Sequence, residues 1–236
     1  MTKEPNISEA LAHLTAAIRG RWDKLGFFEG EHGSFATGHT PTVAPQAYLC
    51  RFYAGLIGDQ LAQAEEESDR HLPTQYADFL REYNGASIMG ITLFGATGGQ
   101  YARALDDVIG QPISLRYQNA YYLRPDYVPE GHFGIGSMNG EWYSQGQLYL
   151  TSAGEVELIN KDHDLIGARW SSMAEFLKQE VSRQMKRYDD AGNEITSVKR
   201  LPGETSNWEQ LAKEVHDKSD TTGGLFGRFR RFLHRS

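Results

Sequence analysis

The sequence predicts an α+β fold: a largely antiparallel or mixed sheet flanked by helices. Helical stripes open the chain, short apolar runs bounded by glycine follow residue 88, and a further helix closes the run of strands. Strands and helices therefore do not alternate one for one, as a parallel sheet would require. The chain has 236 residues, enough to bury a sizeable core.

Taken in order, Asn6 and Glu9 form a capping pair before a helix whose Ile7, Leu11, Leu14 and Ile18 recur at helical spacing. Residues 26–46, "GFFEGEHGSFATGHTPTVAPQ", lack periodicity and read as a long loop. A second helical region is expected from Tyr48, Leu49, Phe52 and Leu56, continuing through Ile57, Leu61 and Ala64 to "AEEESDR". Pro73 then starts another helix, with Tyr76, Phe79, Leu80 and Tyr83 as its buried stripe and Asn84-Gly85 as its stop.

Ile88 to Phe94 reads as a strand, with short helices expected near Ala104–Ile109 and after Pro112. "HFGIGSM", "QLYLT" and "EVELIN" read as strands, the last two joined by "SAGE" as a hairpin. A helix from Ser171 or Ser172 buries Met173, Phe176, Leu177 and Val181; from Gly192 onward the chain turns polar and loose, with a short helix near Trp208–Val215. The expected division is an N-terminal helix and loop over 1–55, a central domain over 56–188 and a C-terminal extension over 189–236.

Catalytic signatures do not emerge. "GATGGQ" lacks the lysine of a phosphate-binding loop, and "GHFGIG" spaces its glycines in the reverse order of a dinucleotide fingerprint. His32 and His39, with Glu29 and Glu31 near them, and His163 between Asp162 and Asp164 do not reach the three or four ligands of a zinc site. The sequence thus implies no catalytic residue, no metal and no cofactor. The single cysteine, Cys50, reads as a small buried hydrophobe in a reducing compartment. The first residues carry no apolar signal segment and no run reaches the roughly 18–20 residues of a membrane span, so a cytoplasmic location is expected.

The formal net charge is −7, yet residues 224–236 carry four arginines and no acid, which leaves −11 on the rest. An acidic body disfavours direct nucleic-acid binding and suits a basic protein partner. In that tail Leu225, Phe226, Phe229, Phe232 and Leu233 share one helical face, with Arg228, Arg230, Arg231 and Arg235 on the rest. This is the pattern of helices that dock on an anionic membrane surface or in a partner's groove; docking on the protein's own body is the plainer alternative.

"LPTQYADFLREYNG", followed by Leu93 to Gly95, resembles the central motif of the SMI1/KNR4 family of the SUKH superfamily, carried by Leu72, Pro73, Tyr76, Phe79, Leu80, Asn84 and Gly85. Gly136, Tyr149, Gly154 and Val156 stand in register with the family's next block, and Trp170, Phe176 and Leu177 resemble its closing helix. The resemblance covers about residues 56–188. It implies an α+β domain and, in bacterial members, a cytoplasmic immunity protein that binds and blocks a polymorphic or contact-dependent toxin. It also leaves room for a regulatory scaffold, and it implies no enzymatic activity.

For such a module, aromatic anchors ringed by charge would carry recognition. The candidates are Trp142 and Tyr143 in "NGEWYSQG", Tyr121 and Tyr122 in "NAYYLRPDY", and the acidic cluster Glu65, Glu66 and Glu67. For each ring the alternative is packing back over the sheet.

Overall fold

The computed structural model describes residues 6–97, 108–120, 125–126, 128–140, 145–160, 165–195 and 197–202. Among them the architecture is a nine-stranded antiparallel meander in strict sequence order, β1 to β9, with α1, α3 and α5 packed on one face and α4 against the other. The strands are β1 (Phe27–Glu29), β2 (Phe35–His39), β3 (Tyr48–Ala54), β4 (Tyr83–Ile88), β5 (Ile91–Leu93), β6 (Phe133–Asn139), β7 (Gln145–Leu150), β8 (Val156–Asn160) and β9 (Leu165–Trp170). The helices are α1 (Ile7–Trp22), α2 (Gln60–Ser68), α3 (Thr74–Glu82), α4 (Arg116–Asn119) and α5 (Met173–Met185). The expected α+β class with a largely antiparallel sheet is therefore the observed one.

Register explains which face is buried. Phe35, Phe52, Ala86, Leu93, Gly136, Leu148 and Leu158 are successive cross-strand partners and form an apolar row on the core side. The neighbouring row on the opposite face is polar across the middle of the sheet, through Arg51, Ser87, Thr92, Ser137 and Gln147, and ends in the apolar Ala36 and Ile159. The core row meets Leu11, Leu14, Ile18 and Trp22 of α1, Tyr76, Phe79 and Leu80 of α3, and Phe176, Leu177 and Val181 of α5 in one cluster. Both long helices are capped at their start: the Asn6 side chain accepts from Ser8 N and Ser172 Oγ from Glu175 N.

Four expectations about local structure are corrected. The span 26–46 is not one long loop, because β1 and β2 pair within it, joined by residues 30–34, and residues 40–47 lead on to β3. Its glycines hide the strands; Gly38, at φ 74°, lets the Leu49 side chain pass where a Cβ would stand 3.0 Å away. Residues 48–54 form β3 instead of a helix. Their apolar spacing fits either period, and hydrogen bonding to β2 on one side and β4 on the other decides it.

Asn84-Gly85 does not stop a helix: α3 ends at Glu82, Tyr83 is extended, and both residues lie inside β4. Ile88 to Phe94 is not one strand, for Met89 (φ 48°) and Gly90 (φ 89°) make a two-residue hairpin that pairs Ile88 with Ile91. Methionine seldom adopts that conformation, and its side chain is buried here, so packing outweighs local preference.

The strand β9 adds a final element that the sequence does not announce. Beyond α5, residues 189–195 and 197–202 are held against the body up to Leu201, which is buried, so the polar composition after Gly192 does not make them loose. Residues 203–236 lie outside the described residues, as do the helices expected near Ala104–Ile109 and Trp208–Val215 (apart from Val108 and Ile109).

Candidate functional site

The motif stretch 72–95 is framework. Burial pushes the Tyr76 hydroxyl well above its usual pKa, and it donates to the carbonyls of Phe94 (2.6 Å) and Ile135 (2.8 Å), tying α3 across β5 and β6. The Asn84 side chain does the same work in the strands. Its Nδ2 donates to Ala96 O (2.9 Å) and its Oδ1 accepts from Ala96 N (2.7 Å), replacing ladder bonds where β5 has ended. Gly85, at φ 88°, has Leu93 O 2.8 Å and Pro112 Cβ 3.0 Å from where a Cβ would be. The segment around Pro112 can therefore lie directly on the sheet.

Two of the three acidic residues on α2 are spent on structure. Glu65 accepts from Leu72 N (2.9 Å), with His71 Nδ1 at 3.4 Å. The Glu67 carboxylate accepts from Thr97 N (2.8 Å), Thr97 Oγ1 (2.7 Å) and Ser114 Oγ. Glu66, between them, is exposed.

Glu67 thus holds together the two chain segments that border a surface depression of about 710 Å³, lined by Thr97, Gln111, Pro112, Ile113, Ser114 and Tyr117. A bridge between Gly95 and Ser114 fixes the same wall: Gly95 N donates to Ile113 O (2.9 Å) and Leu115 N to Gly95 O (3.0 Å). Below it, Asn119 clamps β6 by donating to Gly134 O (2.7 Å) and accepting from Gly134 N (2.7 Å). On this base Ile113 and Tyr117 stand in water, 48% and 64% exposed.

Two further charge clusters tie separate parts of the chain together. His132 Nε2 lies 2.9 Å from Glu157 Oε2, and Arg169 Nη2 lies 2.5 Å from Glu157 Oε1. Arg70 reaches the same region by donating to the carbonyls of His132 and Glu130. At the end of α5, Glu194 accepts from Arg187 and Arg200, while Arg183 and Gln184 donate to Arg200 O. Burial pushes the Glu194 carboxyl up, but its arginine partners outweigh burial and hold it below the usual value. Cys50 is fully buried, and burial drives its thiol far above the ordinary range despite a hydrogen bond from the Met89 backbone.

Of the other expected site residues, Trp142 and Tyr143 fall between β6 and β7, and Tyr121 and Tyr122 follow α4; all four lie outside the described residues. So do His163 and the tail residues Leu225, Phe226, Phe229, Phe232, Leu233, Arg228, Arg230, Arg231 and Arg235. His32 is exposed, and His39 Nε2 lies 2.9 Å from Pro45 O. Among the described residues no three His, Cys, Asp or Glu side chains gather as a metal site, and no helix is long and apolar enough to cross a membrane. Sequence reading missed Ile113 and Tyr117. Their i, i+4 spacing is the usual sign of a buried pair, and nothing local reveals that both point outward.

The model of the SMI1 / KNR4 family (SUKH-1) matches residues 57–179, just over half of the chain, and the chain belongs to this family. The matched span begins just before α2 and ends within α5, so it contains the Glu67 anchor, the depression and strands β4 to β9. No curated protein matches the chain.

Proposed function

We propose that the protein is a non-enzymatic binding module, an immunity protein of the SMI1/KNR4 family that captures and neutralises a cognate polymorphic or contact-dependent toxin in the cytoplasm. One observation carries the reading beyond family membership. The charged groups drawn together by the fold (Glu67, Glu157 with His132, and Glu194 with its arginines) are committed to holding the chain together. Ile113 and Tyr117, by contrast, stand exposed together on one depression. That is the arrangement of a recognition surface. The −11 charge outside the tail favours a basic partner by steering its approach.

The test is a retention experiment on purified full-length protein in extract of its native cell, with mass spectrometry of what stays bound. The retained protein is then expressed in a susceptible host with and without this chain. Rescue of growth by stoichiometric complex formation is the expected outcome. Retention of lipids or membrane proteins alone would count against the reading.

That outcome would favour a second reading, carried by the basic amphipathic sequence of residues 225–235: a regulatory scaffold at an anionic membrane surface. Deleting 224–236 would abolish liposome binding under this reading and leave toxin protection intact under the first.

A further inference from the structure

We propose that the depression between the end of β5 and α4 is the docking site for a basic protein, which sets an apolar side chain between Ile113 and Tyr117 and directs lysine or arginine side chains at α2. This inference rests on the binding-module reading above and names the surface and the chemistry of the partner.

Exposed large hydrophobics are sparse among the described residues: Val43, Ile57, Ile113, Tyr117 and Ile195. Singly exposed apolar residues are ordinary on a protein surface. Ile113 and Tyr117 are different, because together they line one depression. A tyrosine presents a large area with few torsions to freeze, which is why such rings recur as interface anchors.

The base beneath the pair is immobilised from four directions. Glu67 binds Thr97 and Ser114, Asn84 binds Ala96, Gly95 pairs with Ser114, and Asn119 clamps Gly134. Leu115, between the two anchors, is completely buried. A surface already fixed in this way loses little conformational entropy on binding.

Charge selects the occupant. α2 packs against α4 and Glu67 is bonded to Ser114, next to Ile113, so the helix that borders the depression is the one that carries the exposed carboxylates Glu66 and Asp69. Arg70, just past the end of α2, donates to the carbonyls of Glu130 and His132. Arg116 on α4, exposed beside Tyr117, is a cation of the opposing wall among the described residues and places a limit on how close a partner's positive group can come from that side. The approach over α2 is therefore acidic, and a basic partner is both steered to it and held in register.

The experiment begins with full-length protein carrying Tyr117→p-benzoylphenylalanine, photo-cross-linked in its native cell, and identification of the adduct by mass spectrometry. The cross-linked protein is then purified and titrated against wild type, Tyr117→Ala, Ile113→Ala, Glu66→Lys and Val43→Ala. Loss of a hot-spot anchor weakens binding by about thirtyfold or more, at tenfold per 1.4 kcal/mol. The expected result is that loss for Tyr117→Ala, a smaller loss for Ile113→Ala, and slower, less salt-dependent association for Glu66→Lys. Val43→Ala, at a separate exposed position, should bind as wild type does.

A partner that binds all variants alike would overturn this surface while leaving the binding-module reading standing. An adduct with a second copy of the chain would overturn the basic partner. A chain that yields no adduct at 117, and retains no protein partner in the extract experiment, would overturn both.

Discussion

Asn84→Ala separates two accounts of the Asn-Gly pair by a wide margin. If the pair merely stopped a helix, losing the asparagine side chain would cost a few tenths of a kcal/mol. In the structure Asn84 is 1% exposed and exchanges two hydrogen bonds with the backbone of Ala96, which is itself buried. Truncation removes two bonds, each worth about 1 kcal/mol net, and leaves a buried N–H and C=O without partners. An uncompensated buried polar group costs about 1–3 kcal/mol, and partial relaxation reduces that, so a total loss of about 3 kcal/mol is expected. For a chain of this size that lowers Tm by about 6–12 °C. Urea unfolding at constant m-value measures the loss, with hydrogen exchange at the Ala96 amide as a local readout. Asn84→Asp retains the acceptor but sets a carboxylate against Ala96 O, and should fare no better. A loss under 0.5 kcal/mol for Asn84→Ala, on the order of a surface substitution, would refute the clamp.

Glu67→Ala should destabilise by about 2 kcal/mol, since three donors lose a charged acceptor at a partly buried site, and Glu67→Gln by roughly half of that; equilibrium unfolding of the pair checks both the size and the ranking. The same change should loosen the wall that carries Ile113 and Tyr117, and faster exchange of the Thr97 amide would report it. Cys50, buried with its thiol pushed far up, should resist iodoacetamide in the native state and react at the rate of unfolding; prompt labelling in buffer would contradict its placement. Glu194 contributes stability that is full above the ordinary glutamate value of 4.5 and is lost as the pH falls through its depressed folded value. Glu194→Gln should therefore flatten the acid side of the stability profile below about pH 5, and a profile identical to wild type would exclude that role.

Much of the fold was legible because its signals are local. The stripes of α1, α3 and α5 are long enough for one period to dominate, and β6, β7 and β8 are bracketed by glycines and a short hairpin. The misread spans are those where local and tertiary preferences part. β3 carries apolar residues that satisfy a helical stripe as well as a pleat, and Met89 occupies a turn position that sequence preference assigns to asparagine or glycine. The candidate surface was legible in its acidic half alone. Glu65, Glu66 and Glu67 form an obvious run, but the run does not reveal that Glu65 and Glu67 are turned inward to bind Leu72, Thr97 and Ser114 while Glu66 remains outside.

By itself, then, the sequence determined the α+β class, the family, the helices with clear stripes and the acidic character of the body, because each depends on periodicity, motif order or summed charge. Tertiary structure decided the rest. Whether residues 48–54 became strand or helix depended on strands on either side, 35–39 and 83–88, that compete for their backbone hydrogen bonds. Whether Ile113 and Tyr117 faced core or water depended on Gly85, Gly95 and Glu67, which draw their segment onto the sheet from positions up to about fifty residues away in the chain. Such contacts have no local sequence period, so only the folded chain shows them.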